Sequence, residues 1–169
     1  MCPRYQTAAA SKCPGCSGEN FLAKHPQCGV LSCSQRKEIE YCYQCADFPC
    51  KKYDGADQAD SFITHLNQFK DLDKAKSLGI DAYQAELAEK ISLLENLLAS
   101  YDDGRRKGFL CLAVNLLALA DLKKIAEQLE LKARPEQPVQ ARAATAVRLF
   151  QEMAEQRDIV LKLRKKSET

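Results

Sequence analysis

At 169 residues the chain has room for one large domain or two small ones. Its 46% hydrophobic and 28% charged residues are those of a soluble globular protein and exclude a disordered one. A formal net charge of +2 is too near neutrality to argue for nucleic acid or an acidic membrane as partner.

The chain opens on Met1-Cys2-Pro3-Arg4-Tyr5-Gln6-Thr7, which has no basic start followed by an apolar run and so does not read as a secretory signal. Eight of the nine cysteines follow in quick succession: Cys2, Cys13, Cys16, Cys28, Cys33, Cys42, Cys45 and Cys50. Prolines and glycines accompany them, and there is little periodicity. Apolar residues of any size are few between Cys13 and Tyr53: Phe21, Leu22, Val30, Leu31, Ile39, Tyr41, Tyr43, Phe48 and Tyr53. Ordering each residue costs on the order of 1–2 kcal/mol of backbone entropy, and so thin an apolar set does not offset that. A structural zinc supplies roughly 10–16 kcal/mol in small finger peptides. The expected compartment is the cytosol, where clustered thiols are metal ligands rather than disulfides.

Cys13-Pro14-Gly15-Cys16 and Cys42-Tyr43-Gln44-Cys45 are C-x2-C knuckles, in which two intervening residues let the chain turn both sulfurs toward one ion. Zinc takes four such ligands, so the two knuckles with Cys28, Cys33 and Cys50, and Cys2 as the eighth, give two four-ligand sites or one full and one incomplete site. One pairing follows chain order, with Cys13, Cys16, Cys28 and Cys33 in one site and Cys42, Cys45, Cys50 and Cys2 in the other. A cross-braced pairing, in which the two knuckles share an ion, is equally open. An iron–sulfur cluster is the competing reading, since it also uses four thiolates. The ferredoxin run C-x2-C-x2-C-x3-C-P is absent, and Cys42, Cys45 and Cys50 reverse the plant-type order. His25, three residues before Cys28, reads as a loop residue rather than a replacement ligand.

The composition changes near Asp54-Gly55, which places a domain boundary between 1–54 and 55–169. Asp57 or Asp60 is expected to cap a helix carrying Phe62, Ile63, Leu66 and Phe69 on one face, with His65 on its flank. Leu78-Gly79 is a stop signal. Asp81 then caps a helix through Leu87, Ile91, Leu94, Leu98 and Tyr101. Asp102 to Gly108 reads as a turn, in which Arg105, Arg106 and Lys107 form either a solvated loop or an anion site at the next helix start. A single central helix is expected from about Phe109 to Leu129, apolar all round in its first half. Within it Cys111 reads as an inert buried thiol, and Asn115 as a buried amide bonding another helix. Its apolar run, Phe109 to Ala120, is interrupted by Asn115 and is much shorter than the ~20 residues a membrane span needs. Arg134-Pro135-Glu136-Gln137-Pro138 breaks the chain. A last helix carries Ala143, Val147, Phe150 and Ala154 and fades into the basic end Arg164-Lys165-Lys166.

The succession Cys13-Pro-Gly-Cys16, Cys28-x4-Cys33 and Tyr41-Cys42-x2-Cys45-Ala-Asp-Phe-Pro-Cys50 resembles the cysteine-rich proteins of domain-of-unknown-function family 3795. Asp47-Phe48-Pro49-Cys50 is the most specific part, and the resemblance covers roughly residues 1–55. It implies a bacterial or archaeal protein with cysteine-bound zinc and supplies no reaction. The family's opening pattern, C-G-L-x-C-x2-C-P, is matched only in its last step by Cys2-Pro3, which implies either a true start that lies upstream or a member that has lost ligands from one of the two sites.

The expected fold is mostly α: a small, irregular, metal-stabilised cysteine-rich lobe packed on a C-terminal antiparallel helical bundle. The expected function is a non-enzymatic module with structural zinc that binds a protein partner. The alternatives are an iron–sulfur or metal-handling redox protein and, last, an enzyme using the Arg105–Lys107 turn near Cys111.

Overall fold

The computed structural model describes residues 18–24, 27–56, 58–61 and 63–165. Among these, every regular element is helical: α1 (Phe21–Lys24), α2 (Gly29–Arg36), α3 (Gln68–Leu78), α4 (Ile80–Tyr101), α5 (Lys107–Leu116), α6 (Leu119–Lys132) and α7 (Val139–Gln156). Two short 3-10 turns, Cys42–Gln44 and Lys51–Tyr53, lie between α2 and α3. No helix among the described residues is long and apolar enough to cross a membrane. The described residues form two compact units, one of Asp81–Leu163 and one of those up to Ile80 together with Arg164 and Lys165.

In the helical unit, α4 to α7 contribute to one apolar cluster. Leu94 and Leu97 come from α4, Leu110, Cys111 and Val114 from α5, Leu122, Ile125 and Leu129 from α6, and Leu149, Phe150 and Met153 from α7. Spacings of three and four residues place these side chains on one stripe of each helix. Phe109 meets Phe150 edge-on at 6.2 Å between ring centroids. The single helix expected from Phe109 to Leu129 is two helices. Leu117 and Ala118 are extended, with ψ of 149° and 150°. The buried Lys90 of α4 donates to the Leu117 carbonyl at 2.8 Å, so a cation occupies the negative end of α5 and satisfies a carbonyl that the helix leaves over. The break explains the all-round apolarity of this stretch: Leu116 and Leu117 are buried on either side of the bend. Asn115 donates to the Cys111 carbonyl one turn earlier in the same helix, at 2.8 Å.

The last helix also ends earlier than expected. Asp158 adopts a left-handed φ of 53°. Its amide and that of Ile159 donate back to Glu155 and Ala154 at 3.2 and 2.8 Å, the pattern of a Schellman stop. Ile159 and Leu161 then fold back onto the apolar cluster. Arg157, next to this stop, grips the buried Asp121 at the start of α6 with two bonds, Nε to Oδ2 at 2.9 Å and a second nitrogen to Oδ1 at 2.6 Å.

The cysteine-rich unit divides from the helical one after Ile80, beyond the composition shift near Asp54-Gly55. Aromatic packing ties α3 into it. The Phe69 ring of α3 lies 6.0 Å from Phe48 and 5.3 Å from Tyr53, and Phe48 meets Tyr53 edge-on at 5.4 Å. The helix expected across Ile63 and Leu66 starts only at Gln68, and His65 lies in the turn before it. Phe62, His25 and the candidate cap Asp57 lie outside the described residues. Asp60 serves a different purpose. Its carboxylate, fully enclosed, accepts the His65 amide at 2.8 Å, the Arg164 amide at 2.8 Å and the Arg164 guanidinium at 2.9 and 3.3 Å. The Asp60 amide donates to the Arg164 carbonyl at 3.0 Å. Arg164, expected at a basic helix end, is thus a clasp on a distant loop.

Candidate metal centre

Cys28, Cys33, Cys42, Cys45 and Cys50 are half-buried free thiols, all in the cysteine-rich unit. α2 sets the first two. Cys28 is its N-cap, with the carbonyl accepting the Ser32 amide at 3.0 Å, and Cys33 lies within the helix. The helix stops at a Schellman closure. Glu38 takes a φ of 54°, its amide donates to Gln35, and the Ile39 amide donates to Ser34 at 3.1 Å.

The knuckle Cys42–Cys45 follows as one 3-10 turn. The Gln44 amide donates to the Tyr41 carbonyl, and the Cys45 amide to the Cys42 carbonyl, both at 3.0 Å. The Gln44 side-chain oxygen turns back to accept the Glu40 and Tyr41 amides at 3.0 and 2.9 Å. The x2 spacing therefore forms a tight turn, and both of its cysteines line one cavity. Cys50 follows the cis Phe48-Pro49 peptide and caps the second 3-10 turn.

A cavity of about 370 Å³ is lined by Cys33, Cys42, Cys45 and Cys50 together with Lys37 and Tyr53. Lys37 Nζ lies 3.0 Å from Cys45 Sγ and 2.7 Å from Asp47 Oδ2. The Asp47 carboxylate, and after it the Cys45 sulfur, hold the Lys37 ammonium above its ordinary range. The same ammonium holds Asp47 below the usual carboxylate value. On the other wall Tyr53 is buried. Burial first, then a hydrogen bond with Cys42 and the nearby Cys42, Cys50 and Cys28, push its phenol upward. Cys28 and Cys42 also face a wider groove of about 750 Å³ with Tyr53 and His65, and the His65 ring nitrogen Nε2 is 3.4 Å from Ser61 Oγ.

The donor chemistry is that of soft thiolates, which suits zinc, copper(I) or an iron–sulfur cluster over calcium or magnesium. Among the described residues, no three Cys, His, Asp or Glu side chains are placed to hold one ion. Cys2, Cys13 and Cys16 lie outside the described residues. Lys37 and Tyr53 were not legible as site residues in the sequence. One is an ordinary lysine in a charged run and the other an ordinary aromatic, and only the Schellman turn and the 3-10 turn bring them to the sulfurs.

The two other candidates resolve differently. Cys111 is buried within the apolar cluster. At the turn before α5, Asp102 Oδ1 accepts the amides of Gly104 and Arg106 at 3.0 and 2.8 Å, and Asp103 Oδ1 accepts that of Arg105 at 3.0 Å. The amides that an external anion would use at Gly104, Arg105 and Arg106 are thus taken by the protein's own carboxylates.

Compared with known protein families, residues 3–55 match the one described as Protein of unknown function (DUF3795). No curated protein and no solved structure matches the chain.

Proposed function

We propose, from the membership of residues 3–55 in the DUF3795 family, that this protein is a zinc-binding, non-enzymatic interaction module of a reducing compartment such as the cytosol. Cysteine-bound zinc orders the cysteine-rich segment, the helical unit is a scaffold built as an antiparallel bundle, and the ligand is another protein. The observation that carries this reading is the gathering of Cys33, Cys42, Cys45 and Cys50 around one small cavity in a unit with little else to hold it. Among its described residues, only Tyr53 and Ala75 are buried apolar residues, and neither is completely enclosed. So thin a core does not offset the conformational entropy of ordering the chain, whereas a thiolate-bound zinc contributes on that scale. Cys13 and Cys16, with Cys2, supply the further ligands that two sites require. A site with all four ligands from cysteine leaves no open position for a reacting water. The enclosure of Cys111 and the self-satisfied turn at Asp102–Arg106 also favour a binding role over catalysis.

Metal analysis with an absorption spectrum tests the proposal. Protein purified without chelator is expected to be colourless and to carry at least one equivalent of zinc. Less than one equivalent of any metal would overturn it, and a brown, visibly absorbing protein purified without oxygen would replace it with the iron–sulfur reading.

A further inference from the structure

The cation at the cavity wall is the group that the metal reading leaves unused. Lys37 follows Cys33 by four residues, so the two side chains lie on the same face of α2 and its first turn beyond, and both line the cavity. The Lys37 backbone is fixed, because its amide donates to the Cys33 carbonyl at 3.0 Å and the Schellman closure follows at once. Its ammonium then reaches across to the knuckle, 3.0 Å from Cys45 Sγ, and is steadied by Asp47 at 2.7 Å. One helix therefore carries a sulfur and, one turn later, a donor aimed at the sulfur of a different element.

We propose that Lys37 is a positioning residue of the thiolate metal centre, donating an N–H···S hydrogen bond that fixes and tunes Cys45, with Asp47 orienting the donor. The inference rests on the metal reading above. Four thiolates around a dication leave a net charge of −2, and an ammonium against one sulfur offsets part of it. The hydrogen bond also draws electron density from that sulfur, which makes it a poorer target for the protons and electrophiles whose attack detaches a thiolate from its ion. Outer-sphere donors of this kind change metal affinity by about tenfold or more.

The test uses the full chain loaded with zinc, or with cobalt(II) as a spectroscopic probe. Lys37→Met is expected to speed zinc release to a chelator about tenfold and to shift the thiolate-to-cobalt charge-transfer band. Lys37→Arg should restore both, and the far-ultraviolet circular dichroism of the metal-loaded proteins should be unchanged. Asp47→Asn, which leaves the ammonium in place but unsteadied, should move both readouts the same way by less. If the wild type takes up metal and Lys37→Met matches it in release rate and band position, this inference falls and the metal reading stands. If the wild type takes up neither zinc nor cobalt, the metal reading falls and takes the inference with it.

Discussion

Asp60 shows how much one side chain can do for a unit with a thin apolar core. It is a carboxylate with no exposed surface, bound by two amides and a guanidinium. The Arg164 side chain, then the amides of Arg164 and His65, hold it well below the usual carboxylate range against the opposing effect of burial. The consequence for acid stability has a definite sign. In the unfolded chain Asp60 titrates near its ordinary value of about 3.9, and in the folded one it titrates lower. Its contribution is therefore full above the ordinary value and is lost as pH falls below it toward the depressed folded value. Asp60→Asn keeps the shape and removes the charge. It should cost about 2–3 kcal/mol at neutral pH and flatten the acid limb of stability, read from denaturant midpoints between pH 7 and 2. Sequence inspection singled out Asp60 for a different task, as a helix cap, because its true partner lies 104 residues away. Pattern reading sees neighbours along the chain, and it found the Cys42–Cys45 turn for that reason: its backbone bonds are complete within a few residues.

The long helices α4 and α7 were legible from their apolar spacing, whereas α2, short and set among the cysteines, was not. Of the stripe expected on α4 only Leu94 is buried, with Leu87, Ile91, Leu98 and Tyr101 half-buried, whereas on α7 Ala143, Phe150 and Ala154 are buried and Val147 is half-buried. The boundaries were not legible where tertiary contacts set them. Nothing local in Asn115-Leu116-Leu117-Ala118 announces a break, since all four residues can continue a helix. The bend is sustained by Lys90, from another helix, on the Leu117 carbonyl. Similarly, α7 stops at a residue without the usual glycine. Asp158 holds a φ of 53°, which costs a residue with a Cβ about 1 kcal/mol relative to glycine. Asp158→Gly should thus raise the stability of the helical unit by about 0.5–1 kcal/mol, visible as a higher thermal midpoint. A lower midpoint would mean that the aspartate side chain contributes more than its backbone conformation costs.

At the scale of the molecule the two units draw on different sources of stability. The helical unit encloses Phe150, Leu94, Leu110, Leu117, Ile125 and Leu129 almost completely, enough to stand without metal. The cysteine-rich unit relies on an aromatic trio, the Asp60 clasp and, on the reading above, thiolate-bound zinc. Adding a chelator with a reductant should therefore unprotect amides in residues 28–56 while those of α5 and α7 keep their slow exchange, as hydrogen-exchange mass spectrometry would resolve. Loss of protection in both units at one chelator concentration would mean that they do not fold separately. The Asp60–Arg164 clasp also sets an order of events during synthesis. The helical unit is a continuous stretch, Asp81–Leu163, whereas the unit that holds the cysteines takes its last piece from beyond that stretch. On the ribosome, Asp60 emerges into water and waits, charged and hydrated, through 104 further residues before its guanidinium is made. The helices can assemble in that interval. A segment translated before the helices is therefore completed after them.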